Sequence, residues 1–157
     1  IVTKLLNIDA EIVTTPLAEI QKDKQITEQL FQLLKKNYEE THLHNEAQDL
    51  PWQEWRDLLY EDNPHLYFSK IIVKEGQVVG YIFIHPITET ECEIGYFGKS
   101  IDFPLIDVLK QQLDELQAAG YTMVAFEIDT TNHFSDGFTD FLQLGQKESW
   151  NSYMKKF

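Results

Sequence analysis

The chain has 157 residues, which predicts a single domain spanning residues 1–157 and is long enough to bury most of its surface around a core. Its 26 acidic residues outnumber its 13 basic ones, and the formal net charge of −13 argues against nucleic acid and anionic membranes as partners. No apolar run reaches the length of a membrane span. The single Cys92 cannot form an intramolecular disulfide, and the sequence start lacks the layout of a signal peptide. We therefore expect a cytoplasmic protein.

The first third of the chain predicts one strand and two helices. Residues 10–17 are β-branched and apolar and predict a strand that ends near Pro16. Apolar residues recur every three or four positions across residues 26–40, which predicts a helix. A second, shorter helix is predicted over residues 50–62, with Pro51 near its first turn. Trp52 and Trp55 on this helix are predicted to belong to the core, and a role in ligand binding is the alternative.

The middle of the chain predicts three antiparallel strands and a crossover. Two strand-like runs in residues 66–86 are joined by "KEGQ", where Gly76 can take the positive φ of a hairpin turn. A third run, "ECEIGYF", completes a meander. A helix with an apolar face from Leu105 to Leu116 ends at Gly120, and "YTMVAFEI" then predicts a buried strand. A strand, a helix and a strand in this order predict a right-handed parallel connection.

The remaining residues predict a short helix, a turn at Gly145 and a last strand near residues 150–154. This order of elements resembles the GCN5-related N-acetyltransferase (GNAT) fold from about residue 10 onward. "VKEGQVVGYIFIHP" is similar to the family's second and third strands, and "LKQQLDELQAAGYTMVAFEI" to its central helix and fifth strand. "IDTTN" is similar to the strand end where the family commonly carries an asparagine. The resemblance implies an α+β fold in three layers, with a mixed, mostly antiparallel central sheet flanked by helices.

The resemblance also implies acetyl-coenzyme A as the acyl donor, held where the fourth and fifth strands splay apart. Its pyrophosphate is expected on the turn before the central helix, because free backbone N–H groups and the positive end of the helix dipole meet an anion there. On this resemblance the cofactor-binding residues are Tyr96, Phe97, Gly98, Lys99, Ser100 and Asn132. The implied activity is transfer of an acetyl group to the amine of a small molecule or a peptide, and the resemblance allows a homodimer.

Two departures from the family pattern favour a second interpretation. The turn lacks the family's glycines and carries Asp102 and Pro104. A carboxylate roughly 6 Å from a phosphate costs about 3 kcal/mol at an effective dielectric near 20, and proline has no N–H to donate. Counting back from Gly145 puts Phe141 where the family has the tyrosine that protonates the departing thiolate, and phenylalanine has no proton to give. Counting forward from Asn132 puts Thr139 there instead, and its hydroxyl is a poor acid near neutral pH. The alternative is a catalytically silent domain that keeps the scaffold and serves as a binding or regulatory subunit.

Glu93 is the best placed candidate for the base that deprotonates an ammonium group. The backbone N–H groups of Tyr96 and Phe97 are the candidates for polarising the acyl carbonyl. His42 and His44 form a His-x-His pair, but no cysteine lies near them, and a polar loop explains the pair more simply than a metal site does. We predict no metal site.

Overall fold

The computed structural model describes residues 3–4, 12–41 and 49–127. Their elements in chain order are β1 Thr3–Lys4, β2 Ile12–Pro16, α1 Leu17–Ile20, α2 Lys24–Thr41, α3 Trp52–Glu61, β3 Lys70–Lys74, β4 Gln77–Ile82, β5 His85–Pro86, β6 Glu91–Ile94, β7 Phe97–Lys99, α4 Leu105–Ala118 and β8 Met123–Phe126. The α+β class is confirmed, with strands that pair antiparallel except for one parallel pair. None of the described helices is long and apolar enough to span a membrane.

The strands form two sheets. Two stretches of chain, β4 with β5 and β6 with β7, each contribute one strand to each sheet. One sheet has the order β1-β2-β3-β4-β7, and the other has the order β5-β6-β8. The chain passes from the first sheet to the second after β4, and it returns between β6 and β7. The β6 and β8 strands are parallel, as predicted for a strand, a helix and a strand in sequence.

Helices cover both faces of the larger sheet. Each strand contributes side chains to both faces because successive side chains alternate between them. Ile71 and Tyr81 point to the side of α1, α2 and α3. Their neighbours Ile72 and Ile82 point to the side of α4. All four side chains are buried, so β3 and β4 contribute to a hydrophobic cluster on each face.

Two polar side chains explain where α2 begins and how α4 is held against the sheet. The α2 helix begins two residues earlier than its apolar pattern predicts, because the Asp23 carboxylate accepts hydrogen bonds from the N–H groups of Gln25 at 2.9 Å and Ile26 at 3.1 Å. On α4, the buried Gln112 amide donates to the carbonyls of Phe68 at 2.8 Å and Ile82 at 3.2 Å. The α4 helix is therefore fixed to the end of β4.

The structure differs from the predicted elements in several places. The run over residues 91–97 is two strands, β6 and β7, because each half has a different neighbour. The β8 strand is not a buried strand, since Met123 is 57% exposed and only Val124 and Phe126 pack against the α4 cluster. The β1 strand and the short α1 helix were not predicted, and the strand predicted after Gly76 is divided into β4 and β5. The predicted elements after residue 127 lie outside the described residues.

Candidate functional site

The strand formed by β6 and β7 changes its neighbours at Gly95 and Tyr96. Up to Ile94 it pairs with β8, and the last contact is the Glu127 N–H donating to the Ile94 carbonyl at 3.1 Å. After the break it pairs with β4, beginning with the Phe83 N–H donating to the Tyr96 carbonyl at 2.9 Å. The break lies within the predicted fourth strand, where the resemblance implies that the strands splay. The chain that continues β8 past Glu127 lies outside the described residues.

Two carboxylates flank this break. Glu93 on β6 pairs in register with Ala125, so Glu127 is its diagonal neighbour on the same face of the sheet. A methyl group placed on Gly95 would lie 3.3 Å from a carboxylate oxygen of Glu127 and 3.7 Å from one of Glu93. Partial burial, together with the charge and hydrogen bonding of Glu127, raises the pKa of Glu93. The structure thus gives Glu93 an acidic neighbour that sequence reasoning missed, because only the parallel register brings the two together.

A histidine and an aspartate also interact with residues at or next to the strand break. His85 lies opposite Glu93 across the β5–β6 pair, and its ring centroid is 5.7 Å from that of Tyr96. Burial lowers the pKa of His85, and the charge of Asp62 opposes that change. Burial and the Asp62 carboxylate together raise the pKa of Tyr96. Side chains from α3, β5, β6 and the strand break therefore share one electrostatic environment.

A pocket of about 260 Å³ opens beside the break. It is bounded by α2, by the second half of α3 and by Tyr96. Its lining residues are Leu34, Tyr38, Trp55, Leu58, Leu59, Glu61, Asp62 and Tyr96. Apolar side chains and aromatic rings form most of the lining, and the two acidic residues come from the C-terminal end of α3.

The turn after β7 uses its polar groups internally. The Ser100 N–H donates to the Val79 carbonyl at 2.9 Å. The Lys99 ammonium donates to the Phe103 carbonyl at 2.9 Å and lies 3.4 Å from the carboxylate of Asp102. Gly98 is buried, and a methyl group on it would lie 2.4 Å from the amide nitrogen of Asn37 and 2.8 Å from the Tyr81 hydroxyl. Packing therefore requires glycine at position 98 whether or not a ligand binds.

The start of α4 gives a test of whether the turn fits a pyrophosphate. Pro104 precedes the helix and has no N–H. The Leu105 N–H donates to the Phe103 carbonyl at 2.9 Å, and the Asp107 N–H donates to the Pro104 carbonyl at 3.0 Å. The N–H groups of Leu105 and Asp107 are thus already engaged, and together with Pro104 these three positions offer no backbone donor to a pyrophosphate in this conformation.

The structure brings together part of the predicted site. Glu93, Tyr96 and Phe97 lie at or beside the strand break, while Lys99 and Ser100 turn their polar groups inward. The cofactor-binding and catalytic roles of these residues stay predictions. Asn132, Phe141 and the pair His42 and His44 lie outside the described residues.

Cys92 is buried and lies on the same face of β6 as the buried Ile94. Burial raises the pKa of its thiol to about 11, which keeps it protonated near neutral pH. Within residues 12–41 and 49–127, no three His, Cys, Asp or Glu side chains are grouped so that they could hold a metal ion.

No protein-family model and no curated protein sequence matches the chain. Several solved structures match its fold. The aminoglycoside N-acetyltransferase AAC(6')-Iy in complex with CoA is 16% identical, with a TM-score of 0.59 over 98% of this chain and 100% of that one. An aminoglycoside acetyltransferase from an uncultured soil metagenomic sample, in complex with sisomicin, is 12% identical, with a TM-score of 0.55 over 93% of this chain and 95% of that one.

Ard1 from Thermoplasma volcanium is 15% identical, with a TM-score of 0.57 over 84% of this chain and 81% of that one. Identities this low establish a shared fold rather than a shared activity. The agreement extends over most of each chain. The chain therefore has the fold of the GCN5-related N-acetyltransferases.

Proposed function

We propose that this protein is an acyl-coenzyme A-dependent N-acyltransferase that acetylates a primary amine. The observation that carries the proposal is the position of Glu93 and Glu127 at the strand break, beside a pocket with an acidic rim. Transfer to an amine requires a group that removes a proton from an ammonium ion, and a carboxylate with a raised pKa suits that task.

In this proposal Glu93 is the proton acceptor. The nearby negative charge of Glu127 makes Glu93 a stronger base than an isolated glutamate, and the same charge attracts the cationic acceptor. Asp62 and Glu61 extend the negative potential from the pocket rim towards the break. After proton removal, the neutral amine has the lone pair that acyl transfer requires.

The donor would supply the acyl group on a thioester. Because Pro104, Leu105 and Asp107 offer no free N–H group at the start of α4, we expect the nucleotide end of the donor to add little to its affinity. The charge of Asp102 weakens anion binding further, although its carboxylate is fully exposed and screened by solvent.

Ligand-dependent melting of the full chain tests this function. Acetyl-coenzyme A at about ten times its Kd should raise the free energy of unfolding by about 1.4 kcal/mol, which corresponds to a rise in Tm of about 3–5 °C. Acetyl-pantetheine, which lacks the nucleotide and the pyrophosphate, should give nearly the same shift at the same concentration. Release of free thiol from acetyl-coenzyme A in the presence of a panel of amines then measures turnover.

Absence of any shift with millimolar acetyl-coenzyme A at low salt would contradict the proposal. A shift with acetyl-coenzyme A that is lost with acetyl-pantetheine would show that the turn rearranges to bind the pyrophosphate. The first result would favour the second candidate function, a silent binding domain. The engaged donors at the start of α4 are the observation that favours that candidate.

A further inference from the structure

The pocket beside Tyr96 has the features of a site for a small apolar cation. Its volume of about 260 Å³ is slightly below the roughly 300–1,000 Å³ of pockets that hold drug-sized ligands. A ligand that fills it is therefore a small molecule or a single side chain, and an extended oligosaccharide or peptide would leave most of its surface outside.

Aromatic rings form one wall of this pocket. The ring centroids of Tyr38 and Trp55 are 4.9 Å apart and the rings are tilted by 54°. Trp55 is only 8% exposed, and its indole N–H has no hydrogen-bond acceptor among the described residues. The indole N–H is a donor and cannot pair with an ammonium ion, so what the two rings offer a cationic ligand is an apolar surface and their π faces.

In the part of the chain that the structure describes, no basic side chain forms an ion pair with the two acidic residues at the rim of the pocket. Glu61 and Asp62 are exposed residues at the C-terminal end of α3, where the helix dipole is itself negative. The last turn of α3 contains no basic residue. The guanidinium of Arg56, one turn earlier, pairs with Asp57 at 2.7 Å and lies over the Trp52 ring. The two negative charges therefore destabilise the C-terminal end of α3, and they attract a cation to the rim of the pocket.

We infer that the pocket binds a primary ammonium ion carried on a small apolar body, with the body between the aromatic and leucine side chains and the ammonium at Glu61 and Asp62. This inference rests on the proposed function in naming the bound amine as the acceptor. Cation–π attraction to Tyr38, Trp55 and Tyr96 adds to the charge attraction. A polyamine or an aminosugar would place further charges or hydroxyl groups against apolar walls, which disfavours both.

Amine binding can be measured without an acyl donor, by titrating the full chain and following heat and tryptophan fluorescence. The probe is phenethylammonium, and its neutral isostere is 2-phenylethanol. We expect saturable binding of phenethylammonium, at least about fivefold weaker binding of the alcohol, and weaker binding of spermidine than of phenethylammonium. The E61Q/D62N double variant should bind phenethylammonium about five- to tenfold more weakly than the parent chain. E54Q removes one charge from the exposed side of the same helix, outside the pocket, and should leave binding unchanged.

Three results would overturn the inference: no binding of phenethylammonium, equal binding of the alcohol, or an E61Q/D62N variant that binds as the parent does. Stronger binding of spermidine than of phenethylammonium would contradict the inference that the ligand has an apolar body. The two proposals fail separately. Amine binding without any acyl transfer from acetyl-coenzyme A would leave this inference standing and contradict the proposed function. Turnover of other amines without binding of phenethylammonium would contradict this inference and leave the proposed function standing.

Discussion

Replacing Gly98 with alanine is expected to lower the free energy of unfolding by about 2–4 kcal/mol. The added methyl group would lie 2.4 Å from the amide nitrogen of Asn37 and 2.8 Å from the hydroxyl of Tyr81. Both side chains are 3% exposed and are joined by a hydrogen bond of 3.3 Å, so neither can move without breaking that contact. Thermal melting of the ligand-free variant should show a Tm about 5–15 °C below that of the parent.

Gly95→Ala is the matched control for this experiment. The nearest atom to its new methyl group is a carboxylate oxygen of the exposed Glu127, at 3.3 Å, which can move aside. We expect a loss below about 1 kcal/mol. Adding Asn37→Ala to Gly98→Ala should cost less than the sum of the single changes, because the smaller side chain removes the clash. A Gly98→Ala variant with unchanged Tm but no response to acetyl-coenzyme A would instead support the predicted role of Gly98 in cofactor binding.

Replacing Glu93 with glutamine is expected to lower kcat/KM for acetyl transfer by about 100-fold, because the amide cannot accept the proton of the ammonium. In the parent enzyme the rate should rise with pH as Glu93 loses its proton. The midpoint should lie above the usual glutamate range, since burial and Glu127 raise the pKa of Glu93. The glutamine variant should lack this limb of the pH–rate profile.

Two further variants test how the carboxylates near Glu93 affect the pH–rate profile. Glu127→Gln removes the adjacent negative charge, so the pKa of Glu93 should fall and the limb should shift to lower pH. Glu91→Gln changes a carboxylate on the same face of β6, two residues before Glu93, and should leave the profile unchanged. A Glu93→Gln variant with the parent's rate and profile would exclude Glu93 as the base.

The sequence predicts the helices and the hairpin well because these depend on local patterns. The three- and four-residue spacing of apolar side chains gives α2 to within two residues at each end, and Gly76 adopts a φ of +77° in the hairpin turn. The break at Gly95 and Tyr96 is different. "ECEIGYF" alternates like a single strand, and only the exchange of one neighbouring strand for another divides it.

The candidate site was partly predictable for the same reason. Glu93 follows from its position on a strand, whereas Glu127 becomes a neighbour only through the parallel register of β6 and β8. Lys99 and Ser100 lie in the predicted turn, but sequence does not reveal that their polar groups bind the carbonyls of Phe103 and Val79. Such contacts depend on the path of the backbone over several residues.

The sharing of β3 and β4 between two hydrophobic clusters has a consequence for how the protein unfolds. Ile71 and Ile72 are adjacent along the chain but belong to clusters on opposite faces of the sheet. Opening one face therefore frees the strands that form the other, and the Gln112 bond to the Ile82 carbonyl joins α4 to the same strands. We expect both clusters to open in one cooperative step, so that the most protected amides of β3, β4 and α4 exchange with the same free energy in native-state hydrogen exchange.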